Sequence, residues 1–293
     1  MDFSENYEIF HKIEIQSDHW NHEQVTLFIT ISHVRVEGKW RAEAHIFVSA
    51  DKSHDTYFVQ RAMESLAAHF ALRNIKPAAW YFNTDGAPSH FKNKFTMQSL
   101  FKFKTTSGAS TVVWETCAPG HGKGPWDGVG AVVKRLLRQL ERFDQIYAAG
   151  PRDVFAALVA RAERANHTVG SGVVLADIVY HYIRTANEPL LSDISNANVW
   201  PPAARPAAQP NVTSVPHIRS RFCFRVIGQD VLAVRELSCR CKHCIAWRWS
   251  ECKSKDAGEW TRVTMQCVPA AAARKTRSQR SLESAQRRKL AAG

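Results

Sequence analysis

Nowhere does the chain carry an apolar run near the ~18–20 residues that a membrane-spanning helix needs, so no membrane is expected among its partners. It also lacks the charged-then-apolar opening of a secretory signal, since residues 1–8 are acidic and polar. No internal repeat is present. Acids are in short supply, with 27 Asp and Glu against 39 Lys and Arg, for a formal net charge of +12. A hydrophobic content of 45% with 23% charged residues excludes a disordered chain. The 293 residues suffice for one large core and a smaller attached module. Cysteines number seven, an odd count bunched towards the C-terminus. That pattern points to thiols or metal ligands in a reducing, intracellular compartment.

What is present is unevenly placed. Residues 1–25 hold Asp2, Glu5, Glu8, Glu14, Asp18 and Glu23 against Lys12. Residues 92–142 reverse the balance, with nine Lys or Arg against Glu115, Asp127 and Glu141. From Ala270 onward seven bases face Glu283 alone. A basic field of this kind suits a polyanion bound through phosphate contacts and counterion release, although a merely solvated basic surface gives the same count.

Apolar patterning predicts strands at Gln24–Val36 and Ala42–Ser49 with a turn at Glu37-Gly38-Lys39, then a helix at Thr56–Leu72. A short buried strand at Ala78–Asn83 runs into Thr84-Asp85-Gly86, followed by a helix at His90–Phe103 and a strand at Ser110–Thr116. A third helix begins near Asp127. Its Val129, Val132, Val133, Leu136, Leu137 and Leu140 form one stripe, with Lys134, Arg135, Arg138 and Arg142 off it. Helices are also expected at Arg152–Arg164 and Leu175–Arg184, and strands at Arg219–Ile227 and Val231–Leu237. The expected organisation is a core over 1–145, a helical extension over 146–199, a Pro/Ala-rich linker over 200–216, a Cys-rich module over 217–267 and a basic disordered tail over 268–293.

Hairpin, helix, strand, helix, strand, helix is the ribonuclease-H-like order of a mixed α/β sheet once one strand stands in front. In that order metal-binding acids end the first strand, end the strand after the first helix, and lie on the helix after the last strand. Asp2, Asp85 and Asp127 occupy those places, while the strand before Asp2 is expected to be missing. Asp51 and Asp55 rank lower for the first place, because the strand before them is the third in the order. Carboxylates suit this chemistry because a pair of Mg²⁺ or Mn²⁺ ions stabilises the attacking and leaving oxygens of a phosphodiester displacement. Each acid also has a structural reading, Asp85 as a turn residue and Asp127 as a helix cap.

Three blocks carry a family resemblance. Asp2-Phe-Ser-Glu-Asn-Tyr7, Thr84-Asp-Gly-Ala-Pro-Ser-His-Phe-Lys-Asn93 and Gly120-His-Gly-Lys-Gly-Pro-Trp-Asp-Gly128 resemble blocks of transposase-like proteins of eukaryotic DNA transposons. The resemblance spans residues 2–142, and the cysteine block near 239–252 is similar too. It implies a DDE/DDD-type enzyme that cleaves DNA and transfers strands, with Asp2, Asp85 and Asp127 as catalytic, metal-binding acids. It further implies transposon ends as the DNA partner, a homo-oligomer when active, and a nuclear location, with which Arg274-Lys-Thr-Arg277 and Arg287-Arg-Lys289 agree. A start at the end of the first strand also suits a truncated or domesticated copy that binds DNA or a protein without cutting. Another ribonuclease-H-like enzyme, an exonuclease or resolvase, would have no need of the cysteine block.

His121 and Lys123, set among Gly120, Gly122 and Gly124, are candidates for contact with the scissile strand. A nucleotide P-loop is a poor match, because Cys117 stands where its first glycine belongs and Gly124 where its Ser or Thr belongs. His90, Lys92, Lys94, Lys134, Arg135 and Arg138 are further candidates for the nucleic-acid groove, or else solvated helix residues. Cys239, Cys241, Cys244 and Cys252 form C-x-C-x2-C-x7-C, which suits structural Zn²⁺, with His243 or Cys223 as alternative ligands. Reduced thiols in a small module around Trp247, Trp249 and Trp260 are the alternative.

Overall fold

The computed structural model describes residues 1–9, 23–118, 124–143, 150–166, 178–188, 198–239, 241–245, 248, 251–252, 254 and 257–266. Its N-terminal sheet is built on a long hairpin, β3 (Gln24–Val36) against β4 (Lys39–Ser49). Glu37 and Gly38 both adopt positive φ (49° and 80°), and Val36 faces Lys39 directly, so a two-residue loop sets the register. Both faces of β3 are covered. Val25, Leu27 and Ile29 point into one hydrophobic cluster, Phe28 and Val34 into the other. Two short strands, β1 (Asp2–Phe3) and β2 (Tyr7–Glu8), also pair with β3.

Helix α1 (Thr56–Leu72) starts where Asp55 caps it, the carboxylate accepting the Phe58 N–H at 2.9 Å. It buries Phe58, Val59, Ala62, Met63, Leu66 and Phe70. The second sheet follows, with β5 (Ala79–Thr84) parallel to β6 (Thr111–Thr116) and α2 (Lys94–Ser107) as the crossover. Asn93 caps α2 through Phe95 and Thr96 N–H, and Gly108 ends it at φ 68°. Helix α3 (Pro125–Phe143) buries Val133, Leu137 and Leu140 in the cluster that holds Val25, Leu27 and Ile29. Helix α4 (Pro151–Asn166) joins the same cluster through Val154, Phe155 and Leu158.

Ile178–Ile183, inside the span read as a Leu175–Arg184 helix, is instead strand β7, parallel to β4. Its run Ile-Val-Tyr-His-Tyr-Ile is all β-branched or aromatic apart from His181, and Tyr180, His181, Tyr182 and Ile183 are buried on both faces. A strand covered on both sides shows no alternation, which is why its periodicity misleads. β8 (Val199–Trp200) extends this sheet. From the Pro/Ala-rich stretch, Val212 and Val215 enter the core, and Arg205 is tied to Asp51 and Asp55, each at 2.7 Å. The chain then adds β9 (Cys223–Gly228) antiparallel to β6, β10 (Val231–Arg235) and β11 (Thr261–Thr264). A short helix, α5 (Lys242–Ile245), lies between the last two. The described residues thus form a mixed α/β structure of two mixed sheets and four long helices, with a cysteine cluster near the C-terminus.

Between β4, β7 and α1 lies a buried imidazole chain whose protons are assigned by its partners. Trp200 Nε1 can only donate, so at 3.0 Å it makes His181 Nδ1 an acceptor. His181 Nε2 therefore carries the proton and donates to His45 Nδ1 at 3.1 Å. His45 Nε2–H is left facing Glu43 Oε2 at 3.8 Å, and Arg73 holds that carboxylate at 2.6 and 2.7 Å. His69 completes the group, its Nδ1 3.0 Å from Asn198 Oδ1. Burial lowers the pKa of all three rings below the ordinary 6.5, that of His45 to about 3. The unfolded chain then binds protons first, so stability is complete above about pH 6.5 and falls as the pH drops towards the folded values. Asp2, with a carboxyl held up to about 6, offsets part of that slope, and the Met1 amine, lowered by burial to about 5, adds to it. Thermal or urea melts should therefore lose about 1–3 kcal/mol between pH 6.5 and 5.5. A flat profile across that range would contradict the assignment.

Candidate functional site

The two sheets meet at the first residues of the chain. Asp2 and Phe3 pair with Ile29 and Phe28 of β3, and the Met1 amine donates to Asn83 O of β5 at 2.8 Å. Asp2 therefore lies beside the carboxyl end of β5, where Asp85 follows. Asp85 Oδ1 accepts the Ala87 N–H at 3.0 Å, and Ala87 O accepts the Phe91 and Lys92 N–H groups, both at 3.0 Å. That doubled turn carries His90 back over Asp85. Potential ligand atoms of Asp2, Asp85 and His90 all lie within 4.8 Å of one another. The His90 ring packs edge-on to Phe3 and Phe91, and its Nδ1 is 2.8 Å from Ser89 Oγ.

Burial, and then the neighbouring Asp85, push the Asp2 carboxyl up to about 6. Burial likewise pulls the Met1 amine down to about 5 and lowers the His90 imidazole. Among the described residues, no Lys or Arg side chain is ion-paired with Asp2 or Asp85.

Asp127, the third acid expected, is exposed in the first turn of α3, and its carboxylate accepts the Gly124 N–H at 2.8 Å. This is the reciprocal half of a capping box. It stands outside the group of three, yet near enough for its charge to raise the Asp2 pKa. Helix α3 reaches this edge because Gly130 lets it lie close on β3. A Cβ there would come 2.9 Å from Ile29 Cδ1 and 3.2 Å from Ser4 Oγ.

The expected nucleic-acid contacts separate into groups. Lys92 is a correction: it is only 7% exposed, donates to Arg219 O at 3.0 Å and sits 3.6 Å over the Phe222 ring. Burial lowers its pKa to about 8, and it ties the site loop to the chain before β9 instead of facing a groove. Lys94 lies 5.0 Å over Phe95, and Lys134 approaches Glu5 at 3.9 Å. Arg135 and Arg138 are exposed. His121 and Lys123 fall outside the described residues. His90, a candidate for the nucleic-acid groove, sits with the two acids; its signal in the sequence is only a histidine five residues after Asp85, which needs the loop fold to acquire meaning.

The second cluster is built from thiols. Sγ atoms of Cys239, Cys241, Cys244 and Cys252 lie within 4.8 Å of one another, with Cys252 at 3.9 Å from Cys241 and 3.7 Å from Cys239. Four thiolates held by metal bonds of about 2.3 Å in a tetrahedron are about 3.8 Å apart. The cluster can therefore bind a metal such as zinc. His243 is turned to Glu251 at 2.9 Å and Cys223 is buried on β9, so neither of the alternative ligands belongs to the group. Arg235 donates to Cys252 Sγ at 3.5 Å and Cys244 Sγ at 3.8 Å, while bonding Gly258 O and Ser254 O. That hydrogen bond is the main cause holding the Cys252 thiol down, to about 6. Arg225 donates to Cys244 O at 3.2 Å, and both guanidinium groups lie over Trp260.

Elemental analysis of reduced protein should find close to one zinc per chain. Chelation or Cys252→Ser should then lower the melting temperature, by an amount corresponding to at least about 2 kcal/mol. A metal-free, equally stable protein would remove zinc from this account.

A family profile described as Domain of unknown function (DUF8701) matches residues 1–168, a stretch that contains the acid edge and ends before the cysteine cluster. No curated protein and no solved structure matches the chain. With more than half of its 293 residues inside that match, the chain belongs to the DUF8701 family.

Proposed function

We propose that the acid edge is a divalent-cation site for cleavage and strand transfer on DNA, in a ribonuclease-H-like core of the DDE/DDD transposase type. The observation that carries this reading is the meeting of Asp2 and Asp85, 83 positions apart in sequence, with His90 as third donor within 4.8 Å. Strand order supports the fold assignment. β4, β3 and β1 lie side by side, the Met1 amine joins them to β5, and β5 runs parallel to β6. Helices α1, α2 and α3 follow β4, β5 and β6 in turn.

The donor set fits a cation. An octahedral ion with arms of about 2.1 Å holds ligands up to about 4.2 Å apart, so small rotamer shifts bring all three donors into reach. Asp2, with its carboxyl pushed up first by burial and then by Asp85, would be stabilised in its charged form by a cation beside it. Asp2 and Asp85 would hold Mg²⁺ or Mn²⁺, which when bound supplies charge stabilisation at phosphorus and a more acidic water. Asp127, in the first turn of α3, would orient a water or a second cation from the exposed side. Arg135 and Arg138 on the same helix offer cations to the DNA backbone, in keeping with the net charge of +12. DNA ends as partner, an oligomer joining two of them, and a nuclear location follow from this reading.

One observation favours a second reading. Asp127 stands outside the group of three, which suits a derivative that holds DNA without cutting it. The test is nicking and strand transfer by the full chain on duplexes with transposon-end sequence, in Mg²⁺ and in Mn²⁺. Asp2→Asn and Asp85→Asn should each lower the rate by about 100-fold or more. Cleavage that persists in both variants would remove these acids from the chemistry. Tight DNA binding without cleavage in either metal would establish the second reading instead.

A further inference from the structure

We propose that His90 is a direct ligand of the cation held by Asp2 and Asp85, so that the site selects Mn²⁺ or a similar transition-metal ion over Mg²⁺. This rests on the acid edge being a cation site, and not on its being a nuclease.

The loop from Asp85 to Asn93 is fixed at each step. Asp85 Oδ1 binds Ala87 N–H, Ala87 O binds two N–H groups, and Phe91 is fully buried beside Phe3 and Trp114. Asn93 caps α2 and also donates to Thr56 Oγ1 at 2.7 Å and Pro88 O at 3.0 Å. Lys92 pins the same loop to Arg219 and Phe222. A loop tied down on both sides of residue 90 leaves the imidazole little freedom, and Ser89 Oγ at 2.8 Å and the backbone of His54 both hydrogen-bond the ring. Ligating histidines are oriented in this way, through their other nitrogen.

The neighbouring imidazole behaves differently. His54 stacks on Phe3, but its Nε2 is engaged by Asn6 Oδ1 at 2.9 Å and Thr26 Oγ1 at 3.4 Å, and it is not in the group. Donor chemistry then decides the metal. Mg²⁺ is hard and takes oxygen donors, whereas an imidazole nitrogen with two carboxylates suits transition-metal ions.

The experiment uses the full chain with zinc already on its cysteines, titrated with Mn²⁺ and followed by electron paramagnetic resonance. Wild type should bind one Mn²⁺ per chain at the acid edge, and pulsed spectra should show coupling to a directly bound ¹⁴N nucleus. His90→Gln should abolish that coupling and weaken Mn²⁺ binding by at least about 10-fold, with much less change for Mg²⁺. His54→Ala should retain the coupling. Mn²⁺ bound without nitrogen coupling in wild type, or coupling that survives His90→Gln, overturns the proposal and leaves the two-carboxylate site standing. Failure of wild type to bind Mn²⁺ at all overturns the cation-site reading as well. Should His90→Gln not fold, the wild-type spectrum with the His54→Ala control decides the question alone.

Discussion

The structure turns on one short seam. Met1, Asp2 and Phe3 pair with β3 on one side, and the Met1 amine bonds β5 on the other. Two sheets that share no ladder among the described residues are joined there. The seam is electrostatically demanding, because a buried amine and a half-buried carboxyl are forced together, with pKa values of about 5 and about 6. Burying ionisable groups is unfavourable unless other contacts fix them. Here Phe3 supplies that fixity, touching Phe28, Phe58 and Phe91 at centroid distances of 4.7–6.2 Å. Aromatic packing thus holds the acid in place, and the acid defines the edge.

The C-terminal half braces the same edge from behind. β6 carries β5 on one flank and β9 on the other, so the strand leading to Cys117 is hydrogen-bonded on both sides. Arg225 of β9 reaches Cys244 O, Arg235 of β10 reaches two thiols, and Lys92 returns from the acid loop to Arg219 and Phe222. A continuous path of strand pairing and side-chain bonds therefore links the cysteine cluster to the acids. The family match ends at residue 168, yet the sheet does not: its central strand, β9, is residues 223–228.

Local physics was legible in the sequence, and long-range pairing was not. The hairpin turn at Glu37-Gly38 and the span Thr56–Leu72 are readable because turn chemistry and a 3.6-residue stripe are written within a dozen residues. Residues 178–183 were misread because a strand covered on both faces lacks the alternation that marks a strand. Asp2 and Asp85 could be placed together only through a fold order, which ranks positions but carries no distances. His90 and Lys92 could not be told apart: both are polar residues in one loop, and only the turn around Ala87 sends one to the acids and the other under Phe222. Asp127 illustrates the opposite difficulty. Capping its own helix and serving a metal edge demand the same residue at the same place, so the sequence cannot separate them.

Two clusters of different softness in one chain also bear on how each would keep its own metal. Transition-metal affinity rises from Mn²⁺ towards Cu²⁺ at almost any nitrogen, oxygen or sulfur site, so affinity alone sorts nothing. Four thiolates braced by Arg235 would form the stronger sink for zinc. The acid edge has one nitrogen and two carboxylates, a weaker and harder set that a zinc-scavenging thiolate cluster would leave to the more abundant, less thiophilic ions. Separation by donor chemistry would let one centre serve the fold while the other stays open to exchange.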